Sequence, residues 1–136
     1  MAQLREKYSA VVLSYGAISD RELGLPDEHT IRNVLPCRKV VDWYNGSLDN
    51  RLSASDFNLE EIEDLAIVGN GNVACDIARM LTKKPQEFID SDTPSPVMAA
   101  LDKTNLHCVT MIGRRGLVQT AFSTKEIREI NAMAGL

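Results

Sequence analysis

Two short blocks carry the chemistry of this chain. Gly69-Asn70-Gly71-Asn72-Val73-Ala74 has the pattern GxGxxA, and Gly113-Arg114-Arg115-Gly116 sets two guanidinium groups side by side. Glycines let a backbone come close to an anion, and the N–H groups at a helix start supply donors to it. Adjacent arginines grip a phosphate by charge-assisted, often bidentate bonds. The chemistry implied is the holding of a dinucleotide, with its pyrophosphate on the first block and a further phosphate on the second.

A lone GxGxxA is frequent by chance, so the flanking elements carry the argument. Leu65-Ala66-Ile67-Val68 is a short apolar run suited to a buried parallel strand. Asn72 to Leu81 follows, with Val73, Ile77, Met80 and Leu81 at helical spacing. The order is strand, glycine turn, helix, as the motif requires. Gly69 allows the tight turn, Gly71 the approach of a pyrophosphate, and Ala74 the close packing of helix on strand. Asn70, Asn72 and Val73 complete the binding turn. The plainer reading is a tight strand-to-helix turn without a ligand.

Leu106 to Ile112 is expected to be the next parallel strand. A site selecting NAD places an acid near the end of this strand to accept from the ribose 2′-hydroxyl. Arg114 and Arg115 stand there instead. A carboxylate would repel a 2′-phosphate and guanidinium groups bind it, so the cofactor is NADP(H) rather than NAD(H). The competing reading is a solvated pair of surface arginines. The spacing exceeds a compact unit of roughly thirty residues. The excess lies in the break at Lys84-Pro85-Gln86, the turn-rich stretch Asp90 to Pro96, and a short helix over Val97 to Leu101.

Taken together, these blocks resemble the NADPH:adrenodoxin/ferredoxin oxidoreductases, FAD-containing flavoproteins of electron transport. The likeness is carried by Ala10-Val11-Val12-Leu13-Ser14-Tyr15-Gly16-Ala17, Trp43-Tyr44-Asn45-Gly46, the Gly69 to Leu81 turn and helix, and Gly113 to Glu129, in one order. It runs from about Leu4 to Glu129. The resemblance implies that Asn70, Gly71, Asn72 and Val73 hold the pyrophosphate and that Arg114 and Arg115 clamp the 2′-phosphate. It further implies that Glu126 contacts the NADP near its nicotinamide end. An adrenodoxin- or ferredoxin-type iron–sulfur protein is the implied partner, and a mitochondrial location follows from the eukaryotic members, a cytoplasmic one from bacterial relatives. Two positions depart from the family pattern: Asn70 stands where Gln is usual, and Asp27 follows Pro26 where Gly is usual.

The expected fold class is α/β, a Rossmann-like three-layer dinucleotide-binding domain with a parallel sheet, and incomplete. Only three strands are expected in the 136 residues: Ala10 to Ser14, Leu65 to Val68 and Leu106 to Ile112. No second GxGxxG that would serve a flavin is found. The chain is therefore read as one NADP-binding domain over 1–136, a fragment of a larger FAD/NADP flavoprotein, inactive by itself. The alternative is a non-catalytic NADP-sensing or scaffold domain.

Smaller signals modify this picture. Ser123-Thr124-Lys125-Glu126 is a capping box, which accounts for Glu126 structurally as fully as a cofactor contact does. Trp43-Tyr44-Asn45-Gly46 is expected to end a helix that starts near Pro36, with Asn45-Gly46 as the left-handed stop. Asp76 is assigned a structural role as a negative charge early in its helix. Cys37, Cys75 and Cys108 form no CxxC, and Cys75 and Cys108 are expected in the core. His29 and His107 lack metal-ligand spacing. A net charge of −4 disfavours general nucleic-acid binding. No apolar run reaches membrane-spanning length. An exposed sheet edge would allow pairing with a second copy.

Overall fold

The structure is a computed structural model, and it describes residues 2–16, 19–48, 52, 56–114, 116, 128–129 and 131–132. The elements in order are α1 (Ala2–Lys7), α2 (Cys37–Tyr44), β1 (Asp64–Val68), α3 (Asn72–Thr82), α4 (Ser95–Asp102) and β2 (Cys108–Ile112). A single 3₁₀ turn, Pro85–Phe88, lies between α3 and α4. β1 and β2 pair in parallel, from Asp64 opposite Cys108 to Val68 opposite Ile112. Parallel neighbours need a long crossover, and here α3, the 3₁₀ turn and α4 supply it. This is a partial Rossmann-like unit.

Alternation along the strands decides what is buried. Leu65 and Ile67 of β1, with Val109 and Met111 of β2, turn toward the core. Ala74, Ile77, Ala78 and Leu81 recur at helical spacing on α3 and are all buried. Ala74 and Ala78 keep that face low. Val97 and Leu101 of α4 close the core from the crossover side. Each fully buried leucine contributes about 1.5–3 kcal/mol. Phe57 and Leu59 join the same core from the polar connection before β1. The Trp43 ring meets Phe57 edge to face, with centroids 5.3 Å apart, so Trp43 is a packing residue.

The entry to the sheet is tied by backbone bonds. His107 and Cys108 both donate to the Glu63 carbonyl, at 2.7 and 3.2 Å, and Asn105 donates to Leu59 at 3.0 Å. α2 ends as expected. Gly46 N–H donates to Trp43 and Ser47 N–H to Asp42, the paired bonds of a Schellman stop. Gly46, at φ +67°, carries the left-handed turn, whereas Asn45 stays right-handed. The crossover passes so close that a Cβ on Gly46 would lie 2.8 Å from the Pro94 ring.

Three expectations are corrected. Ala10 to Ser14 forms no strand; the segment is irregular, and Val12 is 86% exposed. A strand needs a ladder partner, and among the described residues β1 and β2 pair only with each other. Cys108 is exposed rather than in the core. It shares a parity with Asp64, Ala66, Val68, Thr110 and Ile112, the sheet face that no described helix covers. Asp76 is the fifth residue of α3, beyond its first turn, and is instead ion-paired with Arg79. Cys75 is fully buried as expected, and partial burial pushes the Cys37 thiol up, with Asp20 adding to the effect.

The stretch before α2 explains one departure from the family pattern. Leu25-Pro26-Asp27-Glu28 is a turn closed by a Glu28 to Leu25 backbone bond of 3.3 Å, with Asp27 at φ +60°. That conformation favours glycine, and Asp is among the few other residues that tolerate it. The Glu28 carboxylate then accepts the N–H groups of Leu23, Gly24 and Leu25 at 3.0, 2.9 and 3.4 Å. The Leu23 bond is the largest cause of its lowered pKa, which partial desolvation opposes.

Two outcomes follow. Gly46→Ala should destabilise by about 1–2 kcal/mol from the left-handed backbone alone, with more from Pro94, read as a lower midpoint in urea unfolding. Because Glu28 titrates below its ordinary 4.5 when folded, its contribution is present above that pH and is lost as pH falls through the folded value. Glu28→Gln should therefore lower the melting temperature at neutral pH, and the difference from the parent should vanish in acid.

Candidate nucleotide-binding site

At the C-terminal end of β1 the chain turns sharply. Gly69 adopts φ +132°, which side chains rarely permit, and its N–H donates to the Ile112 carbonyl at 2.8 Å. That bond latches the exit of β1 to the end of β2. The Asn70 side chain then lies over Gly113. A Cβ at Gly113 would sit 3.0 Å from the Asn70 Cβ and closer still to its carboxamide. The two blocks that sequence spacing singles out are thus neighbours in space, and Gly113 is a glycine because Asn70 occupies its upper side.

Gly71 caps α3 in extended conformation, φ −96° and ψ 178°, and no side chain caps the helix start. The first backbone bond runs from Cys75 N–H to the Gly71 carbonyl at 3.2 Å. The N–H groups of Asn72, Val73 and Ala74 therefore have no acceptor within the helix. Asn72 and Val73 are exposed, and nothing lies within 4 Å of where a Cβ on Gly71 would stand. The arrangement is an open, electropositive helix start of eleven residues, suited to an anion by its donors and its dipole.

Arg114 follows β2 after one glycine and is exposed. Of the residues expected to bind the cofactor, Gly69, Asn70, Gly71, Asn72, Val73 and Arg114 gather at this one end of the sheet. Arg115 and Glu126, like Ser123 of the expected capping box, lie outside the described residues. Among the described residues no group of His, Cys, Asp and Glu could hold a metal ion. No described helix is long and apolar enough to cross a membrane.

A second feature escaped the sequence reading. Tyr44, Asp76, Arg79, Met80, Lys83 and Phe88 line an open groove of about 380 Å³ along α3. None of the expected phosphate-binding residues is in it. Within it Arg79 bonds both Asp76 and Glu129. Partial burial pulls the Arg79 pKa down, but the bonds to Glu129 and Asp76 outweigh it and the net shift is upward. Burial pushes the Tyr44 phenol up, and the Asp76 charge adds to this. The Asp76–Arg79 pair was legible from its i,i+3 spacing. Glu129, fifty residues away, was not.

No protein-family profile matches the chain. Individual relatives do. The mitochondrial NADPH:adrenodoxin oxidoreductase of Arabidopsis thaliana is 38% identical over 136 residues, covering 100% of this chain and 28% of its own length. The enzyme so named from Mus musculus is 40% identical over 133 residues, 98% of this chain and 26% of its own. That from Drosophila melanogaster is 42% identical over 130 residues, 96% of this chain and 27% of its own. This chain thus spans little more than a quarter of these relatives. Among solved structures, Mycobacterium tuberculosis FprA in complex with NADPH matches with a TM-score of 0.80 and 32% identity, over 98% of this chain and 29% of that one. Along nearly its whole length the chain is similar in sequence to one stretch of the proteins named NADPH:adrenodoxin oxidoreductase and in fold to one stretch of FprA.

Proposed function

We propose that this chain is the NADP(H)-binding part, over 1–136, of an FAD-dependent oxidoreductase that passes electrons from NADPH through FAD to an adrenodoxin- or ferredoxin-type iron–sulfur protein. One observation carries the reading: the Gly69 turn and the Gly113-Arg114 block are latched together beside the uncapped start of α3. The N–H groups of Asn72 and Val73 would bind the pyrophosphate, with Gly71 leaving it room and Asn70 bracing the Gly113 side. Arg114, with Arg115 beside it in sequence, would hold the 2′-phosphate. Glu126 would meet the nicotinamide half.

The similarity to proteins named NADPH:adrenodoxin oxidoreductase supports the electron route. The match to FprA with NADPH supports the choice of nucleotide. When bound, the flavin supplies the step from two-electron hydride chemistry to single-electron transfer. Its glycine motif has no counterpart in this sequence, so in this reading other residues of a longer protein hold it and the chain alone has no turnover. The mitochondrial names of the relatives support a mitochondrial location.

Calorimetric titration with NADP⁺ and with NAD⁺ tests the reading. NADP⁺ should bind with clear preference. Arg114→Ala should weaken NADP⁺ by at least about tenfold, the effect of a lost hydrogen bond to a charged group of ~1.5–3 kcal/mol, and leave NAD⁺ unchanged. Gly113→Ala, which displaces Asn70, should weaken both. Equal affinity for the two nucleotides would sink the assignment.

A further inference from the structure

Asparagine precedes glycine at two places, Asn45-Gly46 and Asn70-Gly71. Asparagine is among the thermally labile residues, and this pairing is its most exposed form. Glycine has no side chain to shield its own backbone nitrogen from the asparagine carboxamide. The two places differ in structure. Gly46 N–H donates to the Trp43 carbonyl at 3.0 Å, and a Cβ on that residue would meet Pro94. Its nitrogen is engaged in a helix stop, in tight surroundings. Gly71 N–H has no acceptor among the described residues. Nothing lies within 4 Å of where a Cβ on Gly71 would stand. Asn70 is half-buried and stands between two glycines, whose backbones are the least restricted of any residue.

We propose that Asn70-Gly71 is a deamidation site, and that the reaction shuts the nucleotide turn when no nucleotide covers it. The modification needs only the turn itself; its consequence rests on the function proposed above.

The step uses water and no other reagent. The Asn70 carboxamide swings from its place over Gly113, which is exposed and carries no side chain to hold it. The Gly71 nitrogen gives its proton to solvent hydroxide and attacks Cγ of Asn70. The new N–Cγ bond closes a five-membered succinimide. The bond from Cγ to Nδ2 breaks, and ammonia leaves with a proton from solvent. Water then opens the ring at either carbonyl. One product has an ordinary aspartate linkage. In the other the chain runs through the side-chain carbon, which adds a methylene to the turn. A glutamine, usual at this position in the family the sequence resembles, would have to close a six-membered ring and reacts more slowly. The departure to Asn70 therefore brings the lability with it.

Either product puts a carboxylate on the residue before the cap of α3. The free N–H groups and the dipole of the helix start favour a negative charge there. The carboxylate would thus compete for the donors that suit a pyrophosphate and repel it at short range. Both nucleotides share that group, so both should be lost together. A fault in 2′-phosphate binding would instead touch NADP⁺ alone.

The test is incubation of the chain in mildly alkaline buffer with and without NADP⁺. Peptide mass mapping reads the change of amide to acid at positions 70 and 45. Position 70 should convert several-fold faster than position 45, and NADP⁺ should slow it. Calorimetric affinity for NADP⁺ and NAD⁺ should fall together as conversion proceeds. Asn70→Asp, with folding checked by circular dichroism, should weaken both by at least about tenfold, the scale of one lost charge-assisted hydrogen bond. Asn70→Gln should keep its mass and, after the same incubation, the affinity it had before. Conversion at 70 no faster than at 45 would overturn the inference and leave the proposed function standing. So would a folded Asn70→Asp that binds both nucleotides like the parent. NADP⁺ that binds without slowing conversion would overturn the link to the nucleotide. A parent that binds neither nucleotide would overturn the proposed function and the consequence drawn from it, while the mass change at 70 still decides the modification.

Discussion

The backbone bond from Gly69 to Ile112 is the constraint on which the rest of this structure depends. It closes the last rung of a two-stranded parallel ladder whose register runs from Asp64 with Cys108 to Val68 with Ile112. A slip of β2 by one residue would turn Val109 and Met111 to the open face and bring Thr110 and Ile112 onto α3. It would also separate Asn70 from Gly113. Burial of the core and the adjacency of the two glycine blocks are therefore set by the same register. Directly after that bond Gly69 turns the chain into Asn70 with a φ of +132° that is open to glycine.

The crossover matters as much as the ladder. α3 must pack close to the strands for its uncapped start to lie beside the end of β2, and Ala74 and Ala78 give it a low face. α4 and the 3₁₀ turn fill the space that a shorter connection would leave, with Val97 and Leu101 nearly inaccessible. Gly46 lets the end of α2 pass under Pro94. The long connection is thus a third wall of the core rather than a loose insertion. It leaves the end of the sheet that carries Gly69 and Gly113 untouched, because it joins the far ends of α3 and β2.

Much of this was legible in the residues, for reasons that can be named. β1, α3, α4 and β2 have apolar spacings of the right period, and helix stops such as Asn45-Gly46 depend on local backbone chemistry. The motifs of the candidate site were legible because each is contiguous: Gly69 to Val73, and the arginine after Gly113. What was hidden depends on contacts distant in sequence. Phe57 and Leu59 sit in a polar connection, yet they reach the core beside Trp43. Ala10 to Ser14 has strand composition but no ladder partner among the described residues, so composition alone misassigns it. Cys108 has a core-like sequence context, and only the parity of β2 shows that it faces away from the helices. The left-handed φ of Asp27, where glycine is the family's usual residue, is a conformation Asp tolerates better than most, and it shows only in the structure.

Amide NMR during titration with NADP⁺ tests most directly whether one end of this small sheet is a nucleotide site. Shifts should concentrate at Asn70 to Ala74 and at Arg114, with the Arg114 shift absent when NAD⁺ is used. Shifts confined to the groove around Tyr44, Lys83 and Phe88, or no shifts at the start of α3 at saturating NADP⁺, would contradict it.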